Sequence, residues 1–107
     1  MEYVRGFDNI EPEEFSRLMR EPHILIDVRT EEEYEEESIL NAMNIPLNEV
    51  ADFVDTLREQ SNNKSILIYC STGGRSATAC DILYRAGYNN IYNLMGGIKG
   101  WKRLYGI

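Results

Sequence analysis

Ser65 to Cys70 reads SILIYC, and its apolar residues follow one another directly instead of recurring every third or fourth position. A run this short lacks the length of a helix, and the missing polar alternation means that both faces of the strand are covered. HILIDV, from His23 to Val28, repeats the pattern, with Asp27 interrupting it near its end. Such strands belong to parallel sheets, whose crossover helices pack over both faces. The segments between the runs must then supply those helices.

They carry the required periodicity. In EPEEFSRLM, Pro12 suits a first helical turn, the acidic residues favour a helix N-terminus, and Phe15, Leu18 and Met19 share one face. TEEEYEEE opens with Thr30 and Glu33 at capping-box spacing, so a short helix or turn starts there. NAMNIPL reads as a short strand stopped by Pro46, and NEVADFVDTLREQ as a helix presenting Val50, Phe53, Val54 and Leu57. SNNKS is a turn. RSATACDILYRAG places Ala79, Cys80, Leu83 and Ala86 on one stripe, with Arg85 in the last turn and Gly87 just beyond it. NIYNL is a further strand and GGIKGWKRL a terminal helix; Trp101 and Phe53 read as core by spacing. Strands alternating with helices define an α/β fold with a mainly parallel sheet. Ligands of such sheets bind beyond the carboxyl ends of the strands, and Cys70 stands at such an end.

At 107 residues the chain is one domain, 1–107, without a linker, and 43% hydrophobic against 27% charged residues is ordinary globular usage. A net charge of −7, from 18 acidic and 11 basic residues, argues against nucleic acid and against an anionic membrane surface as partners. Any anion site must be local, built from backbone N–H groups and one or two arginines. MEYVRGFDNI lacks the basic flank and apolar core of a signal peptide, and no run approaches the roughly 20 apolar residues that span a bilayer. A cytoplasmic location is expected. There Cys70 and Cys80 stay reduced, so no structural disulfide is expected. Two cysteines ten apart and one histidine supply no metal-ligand set, and nothing calls for a cofactor.

The loop CSTGGR carries the chemistry. After Cys70 come Ser71, Thr72, Gly73 and Gly74, then a helix beginning near Arg75. Glycines permit the dihedrals that let N–H groups converge on one point, and the helix N-terminus with a nearby arginine lowers a thiol pKa. Composition alone leaves Cys70 open between a small buried hydrophobe and a nucleophile; the loop context favours the nucleophile. Cys80 lacks that context and reads as core. His23 precedes an apolar strand and reads as a strand-entry residue, so loop electrostatics, with no general base, must activate Cys70.

Three motifs, in order, resemble the rhodanese (sulfurtransferase) family over nearly the whole chain: LIDVRTEEEYEEESILNAMNIPL at 25–47, ILIYCSTGGRSATACDILYRAGY at 66–88 and NIYNLMGGIKGW at 90–101. The resemblance implies a five-stranded sheet in spatial order 1-5-4-2-3 with helices on both faces. It implies sulfane sulfur transfer: Cys70 takes sulfur from a donor such as thiosulfate or a persulfide, becomes a persulfide itself, and passes the sulfur to a thiol or cyanide. Backbone N–H groups from Ser71 to Ser76 would hold the persulfide, and Arg75 would orient an anionic donor. Asp27 and Arg29 match the family's D-V-R segment, with the implied role of bracing the neighbouring strand and loop; a plain surface arginine is the alternative for Arg29.

Six residues from Cys70 to Arg75 match the loop length of sulfurtransferases, where related phosphatases and arsenate reductases use seven. The chain departs from the family's G-H-I-P-G-A, reading Glu37, Ser38, Ile39, Leu40, Asn41, Ala42, which is expected to loosen the turn into the third strand. No basic residue follows Cys70, which counts against thiosulfate as the physiological donor. The glutamates around Tyr34 read as a solvated face, or as a docking surface for a basic partner. Met95 and Gly96 follow a strand end and are placed at the pocket mouth. Three functions stand: a free-standing sulfurtransferase, a persulfide relay between partner proteins, and an inactive binding domain, which the intact cysteine and glycines disfavour.

Overall fold

A computed structural model describes residues 6–107; positions 1–5, half of the segment read for a leader, lie outside the described residues. The elements are β1 (Asp8–Ile10), α1 (Pro12–Leu18), β2 (His23–Asp27), α2 (Glu31–Glu36), β3 (Met43–Asn44), a 3₁₀ stretch (Leu47–Phe53), α3 (Val54–Ser61), β4 (Ser65–Tyr69), α4 (Gly74–Arg85), β5 (Ile91–Leu94) and α5 (Gly97–Tyr105). The five strands lie in the order β1-β5-β4-β2-β3, and every pairing is parallel. This is the expected α/β architecture and strand order.

The pleat divides the apolar runs between two layers. Ile24, Ile26 and Val28 with Ile66, Ile68 and Cys70 face Leu57, Ala79, Cys80 and Leu83 of α3 and α4. Leu25, Leu67 and Tyr69 face the other way, onto Phe15, Leu18, Ile98 and Trp101 of α1 and α5. Both layers are therefore needed to cover β4, as its unbroken apolar run requires. Each fully buried large side chain contributes about 1.5–3 kcal/mol by leaving water.

Phe53 departs from the sequence reading. It was expected in the core but is 36% exposed, while Val50 and Leu57 are buried. Phe53 stands at the junction where the 3₁₀ stretch gives way to α3, with φ −98° and ψ 0°, so Val50 and Leu57 belong to two helical stretches and do not define one continuous face that includes it. Trp101 is buried as its spacing implied.

The turn from α2 into β3, where the family residues are missing, is held by three hydrogen bonds that involve side chains. Arg29 Nη2 donates to the Glu37 carbonyl at 2.7 Å, the Ile39 N–H to Tyr69 Oη at 3.0 Å, and Tyr34 Oη to the Ala42 carbonyl at 2.5 Å. Asn41, where the family carries its second glycine, has φ 72°. Asparagine is among the few L residues that enter this left-handed region readily, so it substitutes for glycine in conformation.

Candidate functional site

Cys70 is the first residue past β4, on the central strand, and is only 1% exposed. Its Sγ accepts from the Gly73 N–H at 3.1 Å and lies 3.2 Å from Ser76 Oγ. Burial by itself raises a thiol pKa. Here the Ser76 hydroxyl and the N–H groups of Ser76, Gly73 and Thr72 outweigh burial and hold Cys70 below the ordinary thiol value. Cys80, buried in the same core without such donors, is pushed strongly upward by burial. Among the described residues both thiols are free.

The loop is held from behind. The Ile98 N–H donates to the Cys70 carbonyl at 2.9 Å and the Lys99 N–H to the Ser71 carbonyl at 3.2 Å. These are first-turn N–H groups of α5, which have no partner within their own helix. By engaging the loop carbonyls on that side, they leave the loop N–H groups to turn toward Sγ. The approach requires Gly97: a Cβ there would stand 2.3 Å from the Ser71 carbonyl oxygen and 2.6 Å from that of Cys70, at φ +60°. Gly73 is likewise in the positive-φ region, at +119°, whereas Gly74 is not and a Cβ on it would meet nothing within 4 Å. Of the two loop glycines, Gly73 is the one the backbone demands.

Ser76 Oγ has one proton and three acceptors in reach: Asn93 Oδ1 at 2.5 Å, the Gly73 carbonyl at 3.2 Å and Cys70 Sγ. Asn93 Nδ2 in turn donates to the Gly73 carbonyl at 3.2 Å and to Asn9 Oδ1 at 2.8 Å, tying the loop to β1. Asn93 was missed in the sequence; its signal is a polar residue inside the buried run of β5.

Arg75 does not stand alone. Its Nη1 and Nη2 donate to Glu33 Oε1 and Oε2 at 2.9 and 3.0 Å, a bidentate pair. Glu33 also accepts from the Thr30 N–H at 3.0 Å, completing the capping box of α2. The Arg75 hydrogen bonds, then that from Thr30, lower the Glu33 carboxyl to about 2. Read in the sequence as one of a solvated glutamate run, Glu33 is joined to the loop that carries Cys70. Nothing in residue spacing shows this, because 42 positions separate the partners.

Asp27 and Arg29 lie at the end of the neighbouring strand. Asp27 accepts from Arg29 Nη2 at 2.7 Å and from the Arg29 N–H at 2.9 Å, and both residues are buried, Arg29 at 5% exposure. The plain surface arginine is thereby set aside. Burial opposes the Arg29 charge, but Asp27 more than restores it and the pKa rises. Asp27 pairs across the sheet with Tyr69, so the ion pair fixes the strand end from which the loop departs. Met95 is exposed and Gly96 adjoins Gly73, its N–H 3.8 Å from where a Gly73 Cβ would stand. Among the described residues, no group of three or more His, Cys, Asp or Glu side chains is placed to hold a metal ion, and no helix is long and apolar enough to cross a membrane.

Comparison with known proteins places this geometry. The chain is 28% identical over 99 residues to the thiosulfate sulfurtransferase GlpE of Pseudomonas syringae, covering 92% of this chain and 91% of that protein. It is 39% identical over 74 residues to the thiosulfate sulfurtransferase PspE of Escherichia coli, covering 69% of each. Among solved structures, a rhodanese-related protein from Thermoplasma volcanium superposes with a TM-score of 0.75 at 26% identity, over 92% of this chain and 93% of that one. The family model of the Rhodanese-like domain matches residues 11–104, which hold all five helices but their margins, four of the five strands and the whole Cys70 loop. On that span the chain belongs to the rhodanese-like domain family.

Proposed function

We propose that the chain is a sulfurtransferase that carries sulfane sulfur on Cys70. The observation that carries this is the Cys70 Sγ turned onto the N–H groups of a six-residue loop that lowers its pKa. The Cys70 thiolate attacks the outer sulfur of the donor. A Cys70 S–S bond forms, the donor's S–S bond breaks, and its electron pair leaves on the remainder, sulfite when the donor is thiosulfate. The persulfide anion rests in the N–H cradle of Ser71, Thr72, Gly73, Gly74, Arg75 and Ser76. An acceptor thiolate or cyanide then attacks the terminal sulfur and returns Cys70 as thiolate. No cofactor is needed, because one sulfur atom and its bonding pair are exchanged twice at the same side chain. Asp27 and Arg29 support the loop from the adjoining strand end.

The relatives named thiosulfate sulfurtransferase support this reading, and the six-residue loop supports sulfur over phosphate ester or arsenate. A relay between partner proteins is the second reading, favoured by the exposed acidic residues of α2 beside Arg75. We place this reaction in a reducing, cytoplasmic setting, where thiols stay reduced.

Intact mass spectrometry tests the proposal. After incubation with thiosulfate or a low-molecular-weight persulfide, the protein should gain one sulfur atom, and Cys70→Ser should gain none. No adduct from any sulfur donor would overturn it. Slow turnover of thiosulfate with cyanide, despite a stable adduct, would select the relay; Cys70-dependent hydrolysis of an aryl phosphate would select phosphatase chemistry.

A further inference from the structure

Arg75 is the only cationic side chain between Cys70 and Ser76, and each of its two terminal nitrogens donates a hydrogen bond to Glu33. Glu33 is ionised at any pH above about 2, so the pair presents no net charge to an arriving donor. The hollow that reaches Arg75 is walled by Val28, Pro46 and Leu47, with Thr30 and Asn48. Such walls favour carbon over the hydrated oxygens of an inorganic anion. The other arginine near the loop, Arg29, is buried against Asp27 and so is also neutralised. The chain's net charge of −7 adds a repulsive field.

Resting on the sulfur-transfer reading above, we infer that Glu33 sets the donor class: the site takes organic sulfane donors carrying one negative charge, R–S–S⁻ or R–SO₂–S⁻, in preference to the thiosulfate dianion. Glu33 acts through Arg75 as a positioning residue. Holding the guanidinium in a fork, it occupies two of its five N–H groups and cancels its charge, which costs a dianion more than a monoanion with an apolar substituent. The transfer itself is unchanged. The Cys70 thiolate forms a bond to the outer sulfur of R–SO₂–S⁻, the S–S bond of the donor breaks, and the pair leaves on the sulfinate R–SO₂⁻.

Two donors with the same type of S–S bond and different charge isolate this effect: thiosulfate, and the methanethiosulfonate anion. The variant is Glu33→Gln, whose amide oxygen still accepts from the Thr30 N–H and so retains that half of the capping box. Persulfide formation on Cys70 is followed at several concentrations of each donor. Intrinsic reactivity cancels when the ratio of the two second-order rate constants is compared between wild type and variant. The expected result is a rise of about tenfold in that ratio in favour of thiosulfate, through a lower half-saturating concentration of thiosulfate, from removal of one charge near the donor. Methanethiosulfonate should change by less than about threefold. Equal shifts for both donors, or a loss with thiosulfate, would overturn the inference, since a loosened loop affects both alike.

Wild type alone provides a second measurement that does not depend on the variant folding. Its rate with thiosulfate should rise with added potassium chloride, and more steeply than with methanethiosulfonate, as repulsion is screened. A rate with thiosulfate that falls with salt would show a free cation attracting the dianion and would equally overturn it. If no donor modifies wild type, the transfer reading fails and this inference with it; if both donors modify it with an unaltered ratio in the variant, only this inference fails.

Discussion

Two cysteines in one hydrophobic core, on the same side of the sheet, have opposite character. Cys80 is surrounded by carbon and its thiol is pushed up; Cys70, as deeply buried, is pushed down because a hydroxyl and three N–H groups face its sulfur. The hydroxyl is the largest of the favourable contributions. Ser76→Ala should therefore raise the Cys70 pKa, moving the pH profile of its alkylation by iodoacetamide to higher pH and slowing the reaction at neutral pH. A profile that stays in place would show that the backbone alone sets the thiol. Cys70 was legible in the sequence because a reactive residue, two glycines and an arginine fall within six consecutive positions. Glu33 and Asn93 were not, since each reaches the loop from another element and single-chain spacing carries no record of that meeting.

Among the elements, those with strong periodicity were readable and those shaped by local geometry were not. The apolar runs of β2 and β4 and the stripe of α4 appear where the pattern places them, whereas NEVADFVDTLREQ is two stretches, 3₁₀ and then α, and Phe53 at their junction is exposed. The tight seat of α5 on the loop was equally hidden; GG before a helix reads as a turn, not as a backbone contact. Gly97→Ala puts a methyl group into the Ser71 carbonyl at positive φ. It should abolish or strongly reduce persulfide formation, by at least about a hundredfold, if the loop carbonyls turn inward, an effect of roughly 3 kcal/mol read by the mass assay. Normal adduct formation by this variant would refute the role given to α5. At Asn41 the demand is conformational only. Asn41→Ala should cost about 1 kcal/mol in chemical denaturation while Asn41→Gly costs at most a few tenths. Equal stability of all three would mean that the turn relaxes out of the left-handed region.

At the scale of the molecule, the Glu33 to Arg75 pair joins α2, on one side of β2, to the start of α4, on the other side of the sheet. Its pH signature has a definite sign. The Glu33 carboxyl lies at about 2 in the fold against an ordinary 4.5, so its stabilising contribution is complete above 4.5 and is lost as pH falls toward 2. Thermal unfolding of wild type should weaken more steeply over that window than unfolding of Glu33→Gln, which has no carboxylate to protonate; parallel curves would contradict the pairing. The strand order was legible through family resemblance alone, because the two pairings of β5, with β1 and β4, join strands that no local pattern brings together.

The dependence of the loop on α5 has a consequence for the making of the protein. Synthesis delivers Cys70 well before Gly97, Ile98 and Lys99, and β5, which brings Asn93, arrives between them. Until those residues leave the ribosome, the Cys70 and Ser71 carbonyls lack the N–H groups that hold them back. The complete loop, with Asn93 on one side and α5 behind it, can therefore assemble only when nearly the whole domain has been made.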